Sequence, residues 1–224
     1  SCFFFCITLQ NSSERYNKCD HCTRKEAALK FLIASDIHGS ATWCHKFIDA
    51  VHAEKPDKII LLGDILYHGP RNALPDGYDP KEVIALLNPL ADRIIAVRGN
   101  CDAEVDQMVL NFPCMADYST ILDPEYIDED AGYEMQTPRT LLLTHGHVFG
   151  PDRDGAAGNL PQMPVNTALL YGHTHVKANE PCSEDPTVWL FNPGSLSLPK
   201  DGSHSYGVYT TGLPIEESFK HVIL

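Results

Sequence analysis

Short apolar runs in the first half of this chain are separated by stretches with a different period. The runs lie at 31–34, 58–62 and 93–97. After the first run, apolar residues recur at helical spacing from Trp43 to Val51, and Ser40 stands where it can cap that helix. A second helix is predicted at 83–87. Strands that alternate with helices indicate parallel βαβ units.

The second half is predicted to contain mostly strands, with few helices between them. They lie at 118–122, 140–144, 167–171, 187–191, 206–210 and 219–224. An α/β core that continues into a β-rich half predicts an α/β fold with two sheets packed face to face and helices outside. Periodicity gives this class, but it does not give the order of the strands.

Residues 1–28 differ from the rest of the chain, and we assign the domain to 29–224. The first segment carries four cysteines in a C-x3-C…C-x2-C pattern, Cys2, Cys6, Cys19 and Cys22. Such a set could bind structural zinc. The alternative is a poorly ordered extension outside the domain.

Composition and charge narrow the classes of partner. The chain has 224 residues, is 43% hydrophobic and carries a net charge of −13, so a long nucleic-acid duplex is not an expected partner. No apolar stretch is long enough to cross a bilayer. The remaining cysteines show no disulfide spacing, and there is no clear signal peptide. We therefore expect reduced thiols and a cytoplasmic protein.

Five short motifs with potential metal ligands stand just after predicted strands. They are Asp36-Ile37-His38, Gly63-Asp64, Gly99-Asn100, Thr144-His145-Gly146-His147 and Gly172-His173-Thr174-His175. Each motif alone is weak, because a single match has a high false-positive rate. Together they offer carboxylate and amide oxygens and imidazoles, which two divalent cations need if they share a bridging carboxylate.

These motifs resemble those of the calcineurin-like metallophosphoesterase superfamily, and most closely its small bacterial and archaeal YfcE-like phosphodiesterase branch. The resemblance also covers 69–72, 98–102 and 191–195, and it runs from about Lys30 to the C-terminus. It implies a four-layer α/β/β/α sandwich and a centre with two metal ions, commonly Mn²⁺. A homo-oligomer is suggested by the resemblance alone.

The resemblance also implies a role for each candidate ligand. Asp36, His38 and His175 would bind the first metal, Asn100, His145 and His173 the second, and Asp64 would bridge them. Such ligands suit Mn²⁺, Fe²⁺, Zn²⁺ or Ni²⁺. A hydroxide between the metals would attack the phosphorus of a small phosphate diester.

One position departs from many members of the superfamily, which have a histidine after the asparagine. Cys101 stands there instead, and a thiol is a poor acid for protonating a leaving oxygen. His68 is a candidate replacement acid or a solvated loop residue, and Arg71 could bind a substrate phosphate or simply lie exposed. Asp102 is predicted to cap a helix.

Two other functions compete with the phosphodiesterase. One is a non-catalytic scaffold subunit on the same fold, in which some ligand positions would be replaced; here all seven are present. The other is a phosphomonoesterase, which the missing histidine disfavours because unactivated leaving groups need protonation. Fold alone does not decide between them.

Overall fold

Two five-stranded sheets organise the computed structural model, which describes residues 28–123, 138–151 and 159–224. The first sheet contains, in spatial order, β10 (Phe219–Ile223), β9 (Ser205–Thr210), β1 (Lys30–Ala34), β2 (Lys58–Leu61) and β3 (Ile94–Ala96). β1, β2 and β3 are parallel, whereas β9 pairs antiparallel with both β1 and β10. The βαβ units predicted from the first half of the sequence therefore form one side of this sheet.

The second sheet is also mixed. Its spatial order is β4 (Tyr118–Asp123), β5 (Arg139–Thr144), β6 (Thr167–Leu170), β8 (Val188–Asn192) and β7 (Ala178–Pro181). The three central strands are parallel, and the two edge strands run antiparallel to their neighbours. The carboxyl ends of β5 and β6 consequently lie at one edge, where the loops that follow them can meet.

The two longer helices begin after residues whose side chains accept hydrogen bonds from their first backbone N–H groups. α1 (Ala41–Glu54) starts after Ser40, whose hydroxyl accepts a hydrogen bond from the Trp43 N–H, as predicted. α2 (Pro80–Leu87) is capped by Asp79 and continues into a 3₁₀ helix, Asn88–Arg93. A second 3₁₀ helix covers Asp106–Met108, and the short α3 covers Ile215–Ser218.

Three apolar clusters separate the layers. Phe47 and Val83 pack from α1 and α2 onto one face of the first sheet. The other face contributes Ile33, Ile60 and Leu62 to a cluster shared with Leu141, Leu143 and Leu170 of the second sheet. On the far side of the second sheet, Leu160 and Met163 pack against Leu142, Leu169 and Leu190. The predicted α/β class with two packed sheets is confirmed.

A buried arginine joins the two sheets away from the motifs. Arg139 is 1% exposed, and its guanidinium donates to the Tyr209 hydroxyl at 3.1 Å, to the Ser218 hydroxyl at 2.8 Å and to the Leu213 carbonyl at 3.0 Å. The Tyr209 hydroxyl donates in turn to Asp123 at 2.6 Å. Buried charges are tolerated when they are hydrogen-bonded in this way.

The ten observed strands include nine that were predicted, each with ends within one residue. β7 and α3 were not predicted. β7 is an exposed edge strand that ends at Pro181, so it lacks the apolar run on which the prediction depended. The domain boundary after residue 28 stays a prediction, and the zinc hypothesis falls outside the described residues. Within the described ranges, no helix has the length and apolar character needed to span a membrane.

Candidate metal centre

All five motifs meet where the carboxyl ends of strands from both sheets face each other. Asp36, Asp64 and Asn100 lie in the loops after the parallel strands β1, β2 and β3. His145 follows β5, and His173 and His175 follow β6. Since the ends of parallel strands share an edge, their loops form a crevice outside the packed core. The structure thus brings all seven candidate ligands together, although their role as ligands stays a prediction.

Two groups of acidic and imidazole side chains have the spacing of a metal site. In the first, Asp36, His38 and His175 place a potential ligand atom each within 4.8 Å of the others, and Asp36, Asp64 and His145 do the same in the second. His175 Nε2 lies 3.1 Å from Asp36 Oδ1, and His145 Nε2 lies 3.4 Å from Asp64 Oδ2. Asp36 belongs to both groups, so they are neighbours.

The remaining two candidates lie beside His145. Asn100 Oδ1 is 3.1 Å from His145 Nε2, and the His173 ring packs edge-on against the His145 ring with centroids 5.2 Å apart. The backbone N–H of His173 also donates to Asp36 Oδ2 at 3.1 Å. Asn100 is exposed and His173 half-buried, so this side of the centre opens to solvent.

One oxygen of Asp36 has no hydrogen-bond donor. Oδ2 accepts from the Ser35 hydroxyl at 2.7 Å and from the His173 N–H, whereas Oδ1 is buried without a hydrogen bond. A carboxylate oxygen that is buried and unsatisfied is costly in an ordinary core. Here it faces three imidazole nitrogens, His175 at 3.1 Å, His38 at 3.6 Å and His145 at 4.0 Å. This arrangement fits a cation.

Three imidazoles are oriented by backbone carbonyls on their far side. Nδ1 of His38 faces the Tyr67 carbonyl at 2.8 Å, Nδ1 of His145 faces the Leu62 carbonyl at 2.6 Å, and Nδ1 of His175 faces the Leu198 carbonyl at 2.6 Å. An Nδ1–H donated to a carbonyl leaves Nε2 free to bind a metal. Nε2 of His38 and Nε2 of His175 are only 3.3 Å apart, which suits two ligands of one ion.

The glycines of the motifs allow the loops to touch. A Cβ on Gly99 would clash with the Asp64 carboxylate, and a Cβ on Gly172 would clash with the Ser35 hydroxyl. Each therefore has to be glycine for a candidate ligand of one loop to pack on the backbone of another.

Five candidate ligands have left-handed backbone conformations, which non-glycine residues rarely adopt. Their φ angles are +55° at Asp36, +49° at His38, +54° at Asp64, +64° at His173 and +61° at His175. Such conformations are strained, and they concentrate at functional sites. The strain is a signal of function that the sequence alone does not reveal.

The predicted helix cap at Asp102 is wrong, because no α-helix follows it and the next helical residues are the 3₁₀ turn at Asp106–Met108. Instead its buried carboxylate accepts three backbone hydrogen bonds, from the N–H groups of Asp64 at 2.8 Å, Ile65 at 2.8 Å and Gly99 at 2.7 Å. Asp102 therefore clamps together the loops that carry Asp64 and Asn100.

Residues 192–197, which follow β8, support the loops of the centre. The Asn192 amide donates to the Gly172 carbonyl at 2.9 Å, and the hydroxyls of Ser195 and Ser197 donate to the Asp36 carbonyl at 2.9 and 3.0 Å. These bonds hold the loops after β1 and β6 in register.

Burial and opposite charges shift the pKa values in the centre. Burial opposes ionisation of Asp36, yet the neighbouring imidazoles of His175 and His38 hold its pKa well below the usual range. Burial likewise disfavours a charged His145, but Asp64 and Asp36 raise its pKa to about 9. Burial and the neighbouring His145 lower the pKa of His173 to about 4. The negative charge of the carboxylates is thus compensated by protons that a cation could replace.

The candidate centre opens into a cleft of about 680 Å³. Its lining includes the candidate ligands Asp64, Asn100, His173 and His175, together with Tyr67, Arg71, Cys101 and Lys200. Arg71 is exposed and lines the cleft, and its contact with a substrate phosphate stays a prediction. Lys200 and Tyr67 were not singled out, because no motif surrounds them.

Cys101 also lines this cleft. Its Sγ accepts a hydrogen bond from the Asn100 amide at 3.3 Å and belongs to a group with His38 and Asp64 within 4.8 Å. Burial and the nearby Asp64 raise the pKa of the thiol to about 12, so it stays protonated at neutral pH and releases a proton poorly.

His68 does not line the cleft. Its ring packs edge-on between Tyr67 and Tyr78, with centroids 4.7 and 5.2 Å away, and its Nδ1 is buried without a hydrogen bond. A role for His68 as an acid stays a prediction that this packing does not support.

Comparisons with known proteins agree with the resemblance that the motifs indicate. Residues 29–212 match the model of the calcineurin-like phosphoesterase superfamily domain. The chain belongs to this superfamily. Phosphodiesterase YfcE of Escherichia coli strain K12 is 44% identical to it over 181 residues, which are 80% of this chain and 86% of that protein.

Solved structures agree with this superfamily fold. The structure of the phosphoesterase YfcE from E. coli has a TM-score of 0.69 and 39% identity, and the match covers 88% of this chain and 97% of that one. An archaeal phosphodiesterase has a TM-score of 0.54 over 88% of this chain and all of its own, and at 21% identity it supports the fold alone. The predicted calcineurin-like fold is confirmed.

Proposed function

We propose that this chain is a metal-dependent phosphodiesterase that hydrolyses small phosphate diesters at a centre of two divalent cations. The observation that carries the proposal is the unsatisfied Asp36 Oδ1, surrounded by imidazole nitrogens in a member of the phosphoesterase superfamily. The 44% identity with a phosphodiesterase favours diesters as the substrate class.

The side chains present fit the cations. Asp36, His38 and His175 would hold one ion, and Asn100, His145 and His173 the other, with Asp64 between them. Oxygen and imidazole ligands suit Mn²⁺, our preferred ion, as well as Fe²⁺, Zn²⁺ or Ni²⁺. When bound, such a pair of cations activates water for attack on phosphorus and stabilises the charge that develops on the phosphate oxygens.

The protein itself prepares the site for this chemistry. The backbone carbonyls behind His38, His145 and His175 fix the ring orientations, so little reorganisation is needed when a cation binds. We place Arg71 in contact with the substrate phosphate, because its guanidinium lines the cleft and can bind two phosphate oxygens.

Cys101 supports a diester rather than a monoester with a poor leaving group. A thiol whose pKa is raised to about 12 gives little help in protonating an alkoxide. We therefore expect slow turnover of unactivated esters and faster turnover of esters whose leaving group needs no proton.

The test is hydrolysis of bis(p-nitrophenyl) phosphate and p-nitrophenyl phosphate by metal-stripped protein reloaded with Mn²⁺. We expect metal-dependent turnover that favours the diester and is lost in Asp64→Asn. Asp49→Asn is the matched control, because Asp49 is exposed on α1 and should leave turnover unchanged. Absence of turnover with every divalent ion, in folded protein that binds metal, would favour the scaffold function.

A further inference from the structure

Two cationic side chains line the cleft beside the candidate metal centre. Arg71 and Lys200 are both exposed and both contribute to the cleft wall. Across the described part of the chain, no carboxylate forms an ion pair with either side chain. The chain as a whole has a net charge of −13, so a cleft wall with two such cations differs in charge from the rest of the protein.

The carboxylate next to Lys200 in sequence is already engaged. Asp201 forms an ion pair of 2.7 Å with the Lys177 ammonium and accepts the Lys177 backbone N–H at 2.8 Å. The backbone of Lys200 is itself fixed, since its N–H donates to the His175 carbonyl at 2.9 Å. The Lys200 backbone is therefore anchored beside a candidate ligand, while its ammonium has no ion-pair partner among the residues that the structure describes.

The acids of the cleft do not offset these charges. Asp102 has its carboxylate occupied by three backbone N–H groups. Asp64 is 2% exposed, and its oxygens face the Cys101 N–H and the imidazoles of the centre. The outer cleft consequently presents positive charge, and a low-dielectric wall strengthens its effect on an incoming anion.

We propose that Lys200, beside Arg71 in the same cleft, provides a second anion-binding position, and that the preferred substrate is a phosphodiester with an additional terminal phosphate. This inference rests on the proposed function, because the diester at the metal centre positions the rest of the substrate. Arg71 supplies a planar fork for phosphate oxygens, and Lys200 supplies a mobile point charge. A singly charged diester would occupy the metal centre but would leave the Lys200 ammonium without a phosphate partner.

The experiment compares two substrates that differ by one phosphate, thymidine 5′-(p-nitrophenyl phosphate) and its 3′-phosphorylated counterpart, with Mn²⁺-loaded full-length protein. We expect kcat/KM to be up to about 5-fold higher for the 3′-phosphorylated substrate, through a lower KM, because an exposed ion pair contributes up to ~1 kcal/mol. This preference should shrink in high salt.

Lys200→Met should bring the ratio of the two kcat/KM values towards one, and Lys200→Arg should restore it. Lys81→Met, which removes an exposed lysine from α2, should leave the ratio unchanged. The ratio is the readout, so a general loss of activity does not imitate the effect. Equal kcat/KM values for the two substrates in the wild type, or an unaltered ratio in Lys200→Met, would overturn the proposal.

A binding measurement separates this proposal from the proposed activity. Calorimetry with thymidine 3′,5′-bisphosphate and thymidine 5′-phosphate should show the bisphosphate binding more tightly to the wild type and losing that advantage in Lys200→Met. If the protein hydrolyses no diester yet shows this difference, the proposed function fails and the anion position stands. If it hydrolyses diesters and shows no difference, only the anion position fails.

Discussion

Replacing Asp102 with asparagine should weaken both the fold and its affinity for metal. The asparagine has nearly the same shape, but it presents one oxygen where the aspartate presents two. If that oxygen takes the place of Oδ2, the bonds from the Asp64 and Gly99 N–H groups remain, and the new NH₂ group faces the Ile65 N–H. One charged hydrogen bond is lost and one buried donor is left unsatisfied.

The magnitude follows from these contacts. A hydrogen bond to a charged acceptor contributes about 1.5–3 kcal/mol, and an unsatisfied buried donor costs about 1–3 kcal/mol. Because these two effects describe partly the same loss, we expect the free energy of unfolding to fall by about 2–4 kcal/mol. That is a large fraction of the stability of a single domain. Loss of the bond at Ile65, which adjoins Asp64 in the same loop, should also reduce Mn²⁺ affinity about 10-fold or more.

Denaturant unfolding of metal-free protein measures the first effect, and Mn²⁺ titration by calorimetry measures the second. Asp106→Asn is the matched control, because Asp106 is also buried in this loop but accepts the local Ala103 N–H at 2.9 Å and does not reach the Asp64 loop. It should reduce stability without reducing Mn²⁺ affinity. If Asp102→Asn bound Mn²⁺ as tightly as the wild type, the reasoning that Asp102 positions the Asp64 loop for metal binding would be refuted.

Three further results are expected. Mn²⁺ affinity should rise between pH 6.5 and 9, because His145, with its pKa of about 9, must lose a proton to bind the cation. The free energy of unfolding of the metal-free protein should fall over the same pH range. A Mn²⁺ affinity that calorimetry finds independent of pH would contradict the first expectation. Cys101→His should raise turnover of unactivated diesters at least about 10-fold by supplying an acid, with little gain on nitrophenyl esters; equal gains would count against it. Tyr209→Phe should lower the free energy of unfolding by about 1–3 kcal/mol, measured with denaturant, since the hydroxyl bonds to Asp123 and Arg139 are lost, whereas the exposed Tyr118→Phe should change it little.

The sequence predicts the parts of this fold that depend on local patterns. The buried runs that form β1, β2 and β6 are nearly continuous apolar segments, and such runs are readily assigned to strands. Strand order depends on pairing between distant segments, as when β9 inserts beside β1, and no local pattern encodes it. The edge strand β7 is missed for a related reason, since its residues are exposed and polar.

The candidate site likewise contains features that local sequence patterns predict and features that depend on contacts between distant segments. The candidate ligands could be picked out from the sequence because metal binding favours certain residue types at certain spacings, and the structure places them together at the strand ends. Asp102 is assigned wrongly because two of its three backbone partners, Ile65 and Asp64, lie 37 and 38 residues away, which no local pattern reveals. Lys200 could be identified only from the cleft, since its relation to Arg71 exists only in the folded chain.

The positive φ angles of the candidate ligands affect how the stability of this protein can be improved by directed evolution. Each such conformation costs the fold about 1–2 kcal/mol, and five of them lie in the candidate centre. Substitution by glycine at one of these positions, His173 for example, relieves the strain and removes a ligand in the same step. A library screened for heat resistance in the presence of a chelator would therefore enrich inactive variants. Screening with saturating Mn²⁺ would reverse that selection, because cation binding then stabilises only chains that keep their ligands.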